Sequence, residues 1–279
     1  MLTRYVTLSL GERHDLTARA HLALLAVMAH APQPAEFCIV TDKPELYRWF
    51  GDRLRLLVVD GPTLTAWKGR HDFFWRVELM TVVHAAAQGP AHVVYLDSDV
   101  LARKPLEPLV EGLAAGDVFM HLHEHDLASA RRAGDRRLWR QIDGRDAAGV
   151  RFAAPCPMWN AGVIAVGAGN HAVLDRALAA LDRLMDDGIR HNLVEQLAIS
   201  AAFAASGRLR PADAWLDHFW SNKDGYGREI DRQLAEIHYR GMDVDTAVAY
   251  VRANPILRPL AVRKRWWNRL FRPLAGVDG

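Results

Sequence analysis

Apolar and polar positions along this chain fall into two rhythms that alternate through its first half. Short apolar or alternating runs at residues 5–10, 36–40, 54–59 and 91–96 have the length and composition of strands. Between them, residues 16–30 and 72–87 are long, rich in Ala and Leu, and spaced as helices, the second closed by Gly89-Pro90. Strand and helix in strict alternation predict a mainly parallel sheet with helices on its faces. Further on, the pattern predicts a short helix over 105–113, strands over 117–122 and 161–167, and helices over 173–185 and 193–205. Residues 128–154 are rich in Arg, Asp and Gly and show no period, so they read as a mobile, irregular insertion. No internal repeat or low-complexity tract is present.

Composition narrows the class. A chain of 279 residues, half of them hydrophobic, buries one large core, here assigned to residues 1–255 as a single domain. The net charge of +2 hides a basic end, because Arg258, Arg263, Lys264, Arg265, Arg269 and Arg272 crowd residues 256–279 and leave the body near neutral. No nucleic-acid partner is expected from such a body. Cys38 and Cys156 have no metal-type spacing and are too few for a disulfide framework, which favours a reducing compartment. The first residues enter a strand without the basic and apolar regions of a signal peptide, and no run is long enough for a bilayer span. A cytoplasmic location is expected.

The candidate chemistry sits at the end of the fourth strand. His92-Val93-Val94-Tyr95-Leu96 is apolar on both faces and runs directly into Asp97-Ser98-Asp99. Alternation along a strand would point Asp97 and Asp99 the same way at the carboxyl end, where open α/β sheets hold their ligands. A buried strand gains nothing from ending in two unpaired acids, so a cation should compensate them. Hard oxygen donors suit Mg²⁺ or Mn²⁺, which in turn attracts diphosphate oxygens. Taken alone, an Asp-x-Asp is also an ordinary turn.

Further motifs follow in order: Phe73-Phe74-Trp75-Arg76, Pro105-Leu106 and Pro108-Leu109, Trp159-Asn160-Ala161-Gly162-Val163, Glu195-Gln196, and His238-Tyr239-Arg240-Gly241. With the acid pair, they make residues 5–241 resemble the GT-A glycosyltransferases, most closely the retaining family 8 enzymes that include bacterial lipooligosaccharide galactosyltransferases. The resemblance implies a Rossmann-like sheet with a metal site at a strand end. It implies a Mn²⁺- or Mg²⁺-dependent transferase that moves a hexose from a nucleotide diphosphate sugar, UDP-hexose in the family, to a glycan or glycolipid hydroxyl with retention. Asp97, Asp99 and His238 would hold the metal. Ser9, Arg76, Asp97, Ser98, Asp99, Asn160, Ala161, Gly162 and Gly241 would line the donor, Gly162 where the sugar approaches backbone. Glu195, Gln196 and Arg76 would act at the transferred sugar and its leaving diphosphate. Residues 128–154 would then face the acceptor, and a bacterial envelope glycan is the expected product.

The chain departs from the family at three places. Ser9-Leu10-Gly11 replaces an Ala-Ala-Asp-like end of the first strand, which reads the base, and Glu195-Gln196 replaces Asp-Gln. Met242-Asp243-Val244-Asp245 replaces a Lys-Pro-Trp whose Lys meets the diphosphate, leaving Lys223 or Arg240 as the substitute. That last loss supports the alternative of a non-catalytic glycan- or membrane-binding module on the same fold. A haloacid-dehalogenase-type phosphatase would carry its acid pair on the first strand, and a sugar nucleotidyltransferase would need a Gly-rich loop where residues 8–14 offer only Gly11. His121, His123 and His125 alternate and read as one face of a strand, solvent- or acceptor-facing rather than metal-binding. Basic residues interleaved with Trp266, Trp267 and Phe271 over 258–272 suit an anionic membrane surface, giving a peripheral place on the inner face of the membrane.

Overall fold

Seven strands form the central sheet of the computed structural model, which describes residues 1–259. They are β1 (Thr3–Ser9), β2 (Ala35–Thr41), β3 (Arg55–Val58), β4 (His92–Leu96), β5 (Val118–Met120), β6 (Val163–Val166) and β7 (Leu209–Pro211). Their order across the sheet is β7-β5-β6-β4-β1-β2-β3. β3, β2, β1 and β4 run parallel, β7 is parallel to β5, and β6 is antiparallel to both β4 and β5. The chain winds from β1 outward to β3 and then crosses to β4 on the other side of β1. The strand order therefore reverses between β1 and β4, which opens a crevice at their carboxyl ends.

Helices cover both faces, as the alternating rhythm predicts: α1 (His14–His30), α2 (Gly61–Lys68), α3 (Arg76–Ala86), α4 (Glu107–Ala114), α5 (Ala133–Ile142), α6 (Ala172–Asp186), α7 (Val194–Ala204), α8 (Lys223–Tyr239) and α9 (Val244–Ala253). β4 is buried along its whole length and divides its side chains between two cores. Val93 and Tyr95 pack with α3, α6 and α7; Val94 and Leu96 pack with α1, α4, α8 and α9. A strand with no solvent face has no place for unpaired charge, and the two acids stand just beyond its end.

Several elements differ from the sequence expectations. Asp60 caps α2, its side chain accepting from the Thr63 N–H at 2.8 Å, and Pro62 suits the first turn, a helix the apolar pattern does not announce. α3 begins at Arg76 rather than at 72, because the chain turns through residues 69–75 with Asp72 left-handed at φ 48°. Residues 128–154 are not irregular. They form α5 and a hairpin of Asp146–Ala147 with Val150–Arg151, and they sink Leu138, Ile142 and Phe152 into the core beside α6 and α7. Only Leu138 and Ile142 mark one helical face there, too few to show through the surrounding charge.

No described helix is long and apolar enough to cross a membrane. Of the basic aromatic stretch 256–279, all beyond Pro259 lies outside the described residues.

Candidate metal centre

β4 ends at Leu96, and Asp97 to Asp99 form a tight turn rather than more strand. The Asp97 N–H donates to Gly162 O at 2.9 Å, and the Val100 N–H donates back to Asp97 O at 3.0 Å. The chain then makes a short strand, Val100–Ala102, paired antiparallel with Leu216–His218 so that His218 stands opposite Val100. That pairing, and the Phe219 N–H donating to Asp99 O at 3.1 Å, delivers the imidazole to the acids. His218 Nε2 lies 3.3 Å from Asp99 Oδ1 and 3.8 Å from Asp97 Oδ2, with His218 and Asp99 nearly sealed from solvent. The three residues offer one ligand atom each within 4.8 Å of one another.

The histidine is held from behind. Its Nδ1 lies 2.7 Å from Asn160 Oδ1, which also accepts the Gly162 N–H at 3.1 Å, so this atom is an acceptor and Nδ1 carries the proton. Nε2 then faces the acids, where a cation would displace its proton and take its lone pair, the usual arrangement of a ligating histidine supported by a second hydrogen bond. Gly162 lies flat against the ring: a Cβ there would stand 2.3 Å from His218 Nδ1. The imidazole by itself therefore requires a glycine at this position.

Electrostatically the site holds too much acid. Burial, with the charge of Asp99, raises the Asp97 carboxyl above its usual range, and Tyr95 donates to Asp97 Oδ1 at 2.7 Å. Burial would raise Asp99 too, but His218 beside it and Lys223, whose Nζ lies 2.6 Å from Oδ2, hold it far below that range. Burial lowers His218, yet Asp99 and Asp97 more than reverse this and raise it. Glu195, in the first turn of α7, is pushed up to about 8 by burial and by Asp97, and its buried Oε1 has no hydrogen-bond partner among the described residues. Burial and the charges of Asp97, Glu195 and Asp99 also raise Glu78 on α3 well above its usual value. Four carboxyl groups thus face His218 and Lys223, a deficit that one divalent cation would remove.

The fit of such a cation can be judged from the donor set. Six-coordinate Mg²⁺ or Mn²⁺, with bonds of about 2.1 Å, keeps adjacent ligand atoms about 3 Å apart, so the atoms here, at 3.3 and 3.8 Å from His218 Nε2 and all within 4.8 Å of one another, would draw in slightly around it. Two carboxylates and a neutral imidazole are ordinary ligands for Mn²⁺ and leave positions for other oxygens.

The structure gathers some of the expected residues and disperses others. Asp97, Ser98, Asp99, Asn160, Ala161 and Gly162 lie together, and Ser9 ends β1 on the same side of the sheet, accepting from Tyr47 Oη at 2.6 Å. Gln196 joins through Glu124, whose carboxylate accepts from Gln196 Nε2 and from Asn160 Nδ2, both at 3.0 Å.

His238 is not at the acids. Lys223 at the start of α8 touches Asp99, and His238 lies fifteen residues on, about 22 Å along a helix. It is exposed there, and with Gly241 (φ 60°) it lines an apolar cavity beside His21 and Trp49. His218 takes the place expected of His238.

Arg76 is also elsewhere. Its Nε and Nη2 donate to the two oxygens of Asp182 at 2.7 and 2.9 Å, and Nη1 donates to Trp67 O at 2.6 Å, so it ties α3 to α6 and α2. The three alternating histidines do not share a strand face. His123 and His125 belong to the short strand His123–Asp126, paired with Pro157–Trp159 across a register shift, whereas His121 is buried edge-on against His218, ring centroids 5.4 Å apart.

His218 is the ligand candidate that sequence reasoning missed, whereas Lys223, offered only as one of two substitutes for the diphosphate lysine, stands on Asp99. The only local signal is the strand-like Trp215-Leu216-Asp217 before His218, with Lys223 five residues beyond it. The class these observations define is an α/β protein with a mainly parallel sheet, helices on both faces and an Asp-Asp-His cluster beside the point where strand order reverses. Neither models of known protein families nor curated protein sequences gave a match to this chain.

Proposed function

We propose that this protein is a metal-dependent glycosyltransferase of the GT-A type, moving a hexose from a nucleotide diphosphate sugar to a hydroxyl of a glycan or glycolipid. The observation that carries the reading is the Asp97–Asp99–His218 cluster at the crevice between β1 and β4, with His218 fixed in the ligating tautomer by Asn160. A nucleotide laid over the ends of β1 and β2 would bring its diphosphate to the acids.

A bound Mn²⁺ or Mg²⁺ supplies Lewis-acid stabilisation of the charge that develops on the departing diphosphate. The chain's own residues do the remainder. Asp97, Asp99 and His218 would hold the cation, and the walls around Asp99 exclude water, which strengthens every charge interaction inside. Lys223 is half exposed on a flexible stem and can exchange Asp99 for the diphosphate once a cation neutralises the acid, the role for which the sequence offered Lys223 or Arg240. Glu195, protonated up to about pH 8, presents a neutral carboxyl beside Asp97, and Gln196 is oriented by Glu124.

The test is thermal melting with UDP and other nucleoside diphosphates, in Mn²⁺ or in EDTA. A nucleotide at about a hundred times its dissociation constant should stabilise the wild type by roughly 2.7 kcal/mol in Mn²⁺ only. Asp99→Asn should remove that shift, together with release of free sugar from the donor. A shift that persists in EDTA, or in Asp99→Asn, would discard the metal reading.

A further inference from the structure

His218 also lines a cleft of about 880 Å³. Its wall includes Arg131, Arg132, Arg258 and Trp220. The acids of this cleft are mostly engaged with neighbours. Glu124 accepts from Asn160 and Gln196, Asp126 accepts from the Ala128 N–H at 2.7 Å, Asp135 lies 3.5 Å from His125, and Asp217 accepts from Arg103 and Tyr226. Asp213 donates its backbone N–H to His121 O at 3.0 Å, and among these acids only its carboxylate has no hydrogen bond or ion pair among the described residues. The guanidinium groups of Arg131, Arg132 and Arg258 likewise have none there, and all three residues are exposed. Glu124, Asp126 and Asp135 keep their charge in these contacts, so what favours an anion here is local: Arg131 and Arg132, adjacent in the chain, are guanidinium groups with no carboxylate on them among the described residues.

Arg131 and Arg132 stand on backbone that is already fixed. The Ala130 N–H donates to Leu127 O at 3.2 Å, the Arg136 N–H donates to Arg132 O at 3.0 Å, and the Arg136 guanidinium donates to Arg131 O. Holding an anion here requires ordering two side chains, not a loop. Trp220 lies in the single turn Trp220–Asn222, between His218 and Lys223, and is 55% exposed with no ring stacked on it among the described residues. An indole left in water forgoes burial that most Trp residues find, and a tryptophan beside a polar cleft is suited to a ligand that is apolar on one face and polar at its rim. A pyranose has that shape, with C–H bonds on one face and hydroxyls around the edge.

We propose that the cleft is a subsite for a sugar carrying a phosphate or carboxylate group, with its ring on Trp220 and its anionic group on Arg131 and Arg132. Bidentate guanidinium contacts suit either oxyanion. The word acceptor for this sugar rests on the transferase reading; its anionic character rests on the cleft alone.

Calorimetric titration with galactose 6-phosphate, galacturonate and lactose, with and without Mn²⁺ and UDP, tests it. The expected result is about tenfold or greater preference for at least one charged sugar over lactose in the wild type. Arg131→Ala/Arg132→Ala should cut that preference to within about twofold, Arg131→Lys/Arg132→Lys should keep most of it, and Trp220→Ala should weaken charged and neutral sugars by a similar factor. The Mn²⁺-dependent melting shift with UDP shows that each variant is folded and keeps its donor site. Preference for the phosphate or for the carboxylate names the group, and either sustains the proposal. Equal affinity for lactose and both charged sugars, or an undiminished preference in the double alanine variant, overturns it. Should UDP fail to bind while the charged-sugar preference persists, the transferase reading falls and the anionic-sugar site stands.

Discussion

Arg76 and Glu78 lie two residues apart on α3 and experience opposite electrostatic surroundings. Arg76 meets one carboxylate in a two-pronged pair through Nε and Nη2, and its Nη1 donates to the Trp67 carbonyl, so its charge is matched and the group serves to join helices. Glu78 is buried near Asp97, Glu195 and Asp99 with Lys223 opposing them, and burial together with those charges drives its carboxyl well above its usual value. Folding alone accounts for the first arrangement. The second costs stability that packing does not require, which is the mark of a site built for something else.

The largest effect that would sharpen this contrast is at Glu195. Its carboxyl titrates at about 8 in the folded chain against 4.5 as its ordinary value, so between those values the folded state keeps a proton that the unfolded state has lost. Stability should therefore fall as pH rises from about 4.5 to 8 and level off above. In EDTA, Glu195→Gln should remove that fall, so that relative to wild type it gains on the order of 3 kcal/mol between pH 5 and pH 9 in denaturant melts. Parallel pH profiles for the two proteins would show that the acid excess is not felt at Glu195. Next in size, Asn160→Ala should weaken Mn²⁺ binding by roughly 10- to 100-fold in a competition titration, because His218 loses the partner that orients it. Smallest, Arg76→Ala should cost about 1–2 kcal/mol of stability, since Asp182 is 43% exposed and solvent screens the pair. It should leave the Mn²⁺- and UDP-dependent melting shift unchanged. A lost shift in Arg76→Ala would erase the contrast between the two residues.

Much of the fold could be read in advance because its elements announce themselves locally. β1, β2, β4, α1, α6 and α7 are apolar runs long enough to show their period, and the acid pair stands out because nothing in the buried β4 explains it. What escaped reading depends on partners remote in sequence. His218 reaches the acids only through the pairing of Leu216–His218 with Val100–Ala102, a register that local pattern does not encode. Arg76 looks the same in sequence whether it meets a diphosphate or Asp182, 106 residues away. His238 was placed by likeness of a motif, and the helix that carries it, α8, points it away from the site its first residue touches. α5 was hidden because two buried apolar residues in ten leave a helix that looks like a charged loop.

The flat contact between Gly162 and the His218 ring bears on how fast the site can exchange its cation. With backbone on one side and Asn160 holding Nδ1, the imidazole has no second rotamer to visit, and the ordering of that side chain, about 1 kcal/mol, is met during folding rather than at binding. Of the groups around the acids, Lys223 is the half-exposed one, free to leave and return on the timescale of a surface rotamer. Cation entry should therefore be gated by departure of the Lys223 ammonium and loss of water from the ion, not by rearrangement of ligands. A stopped-flow trace of Mn²⁺ entry should show one phase, faster in Lys223→Met than in wild type.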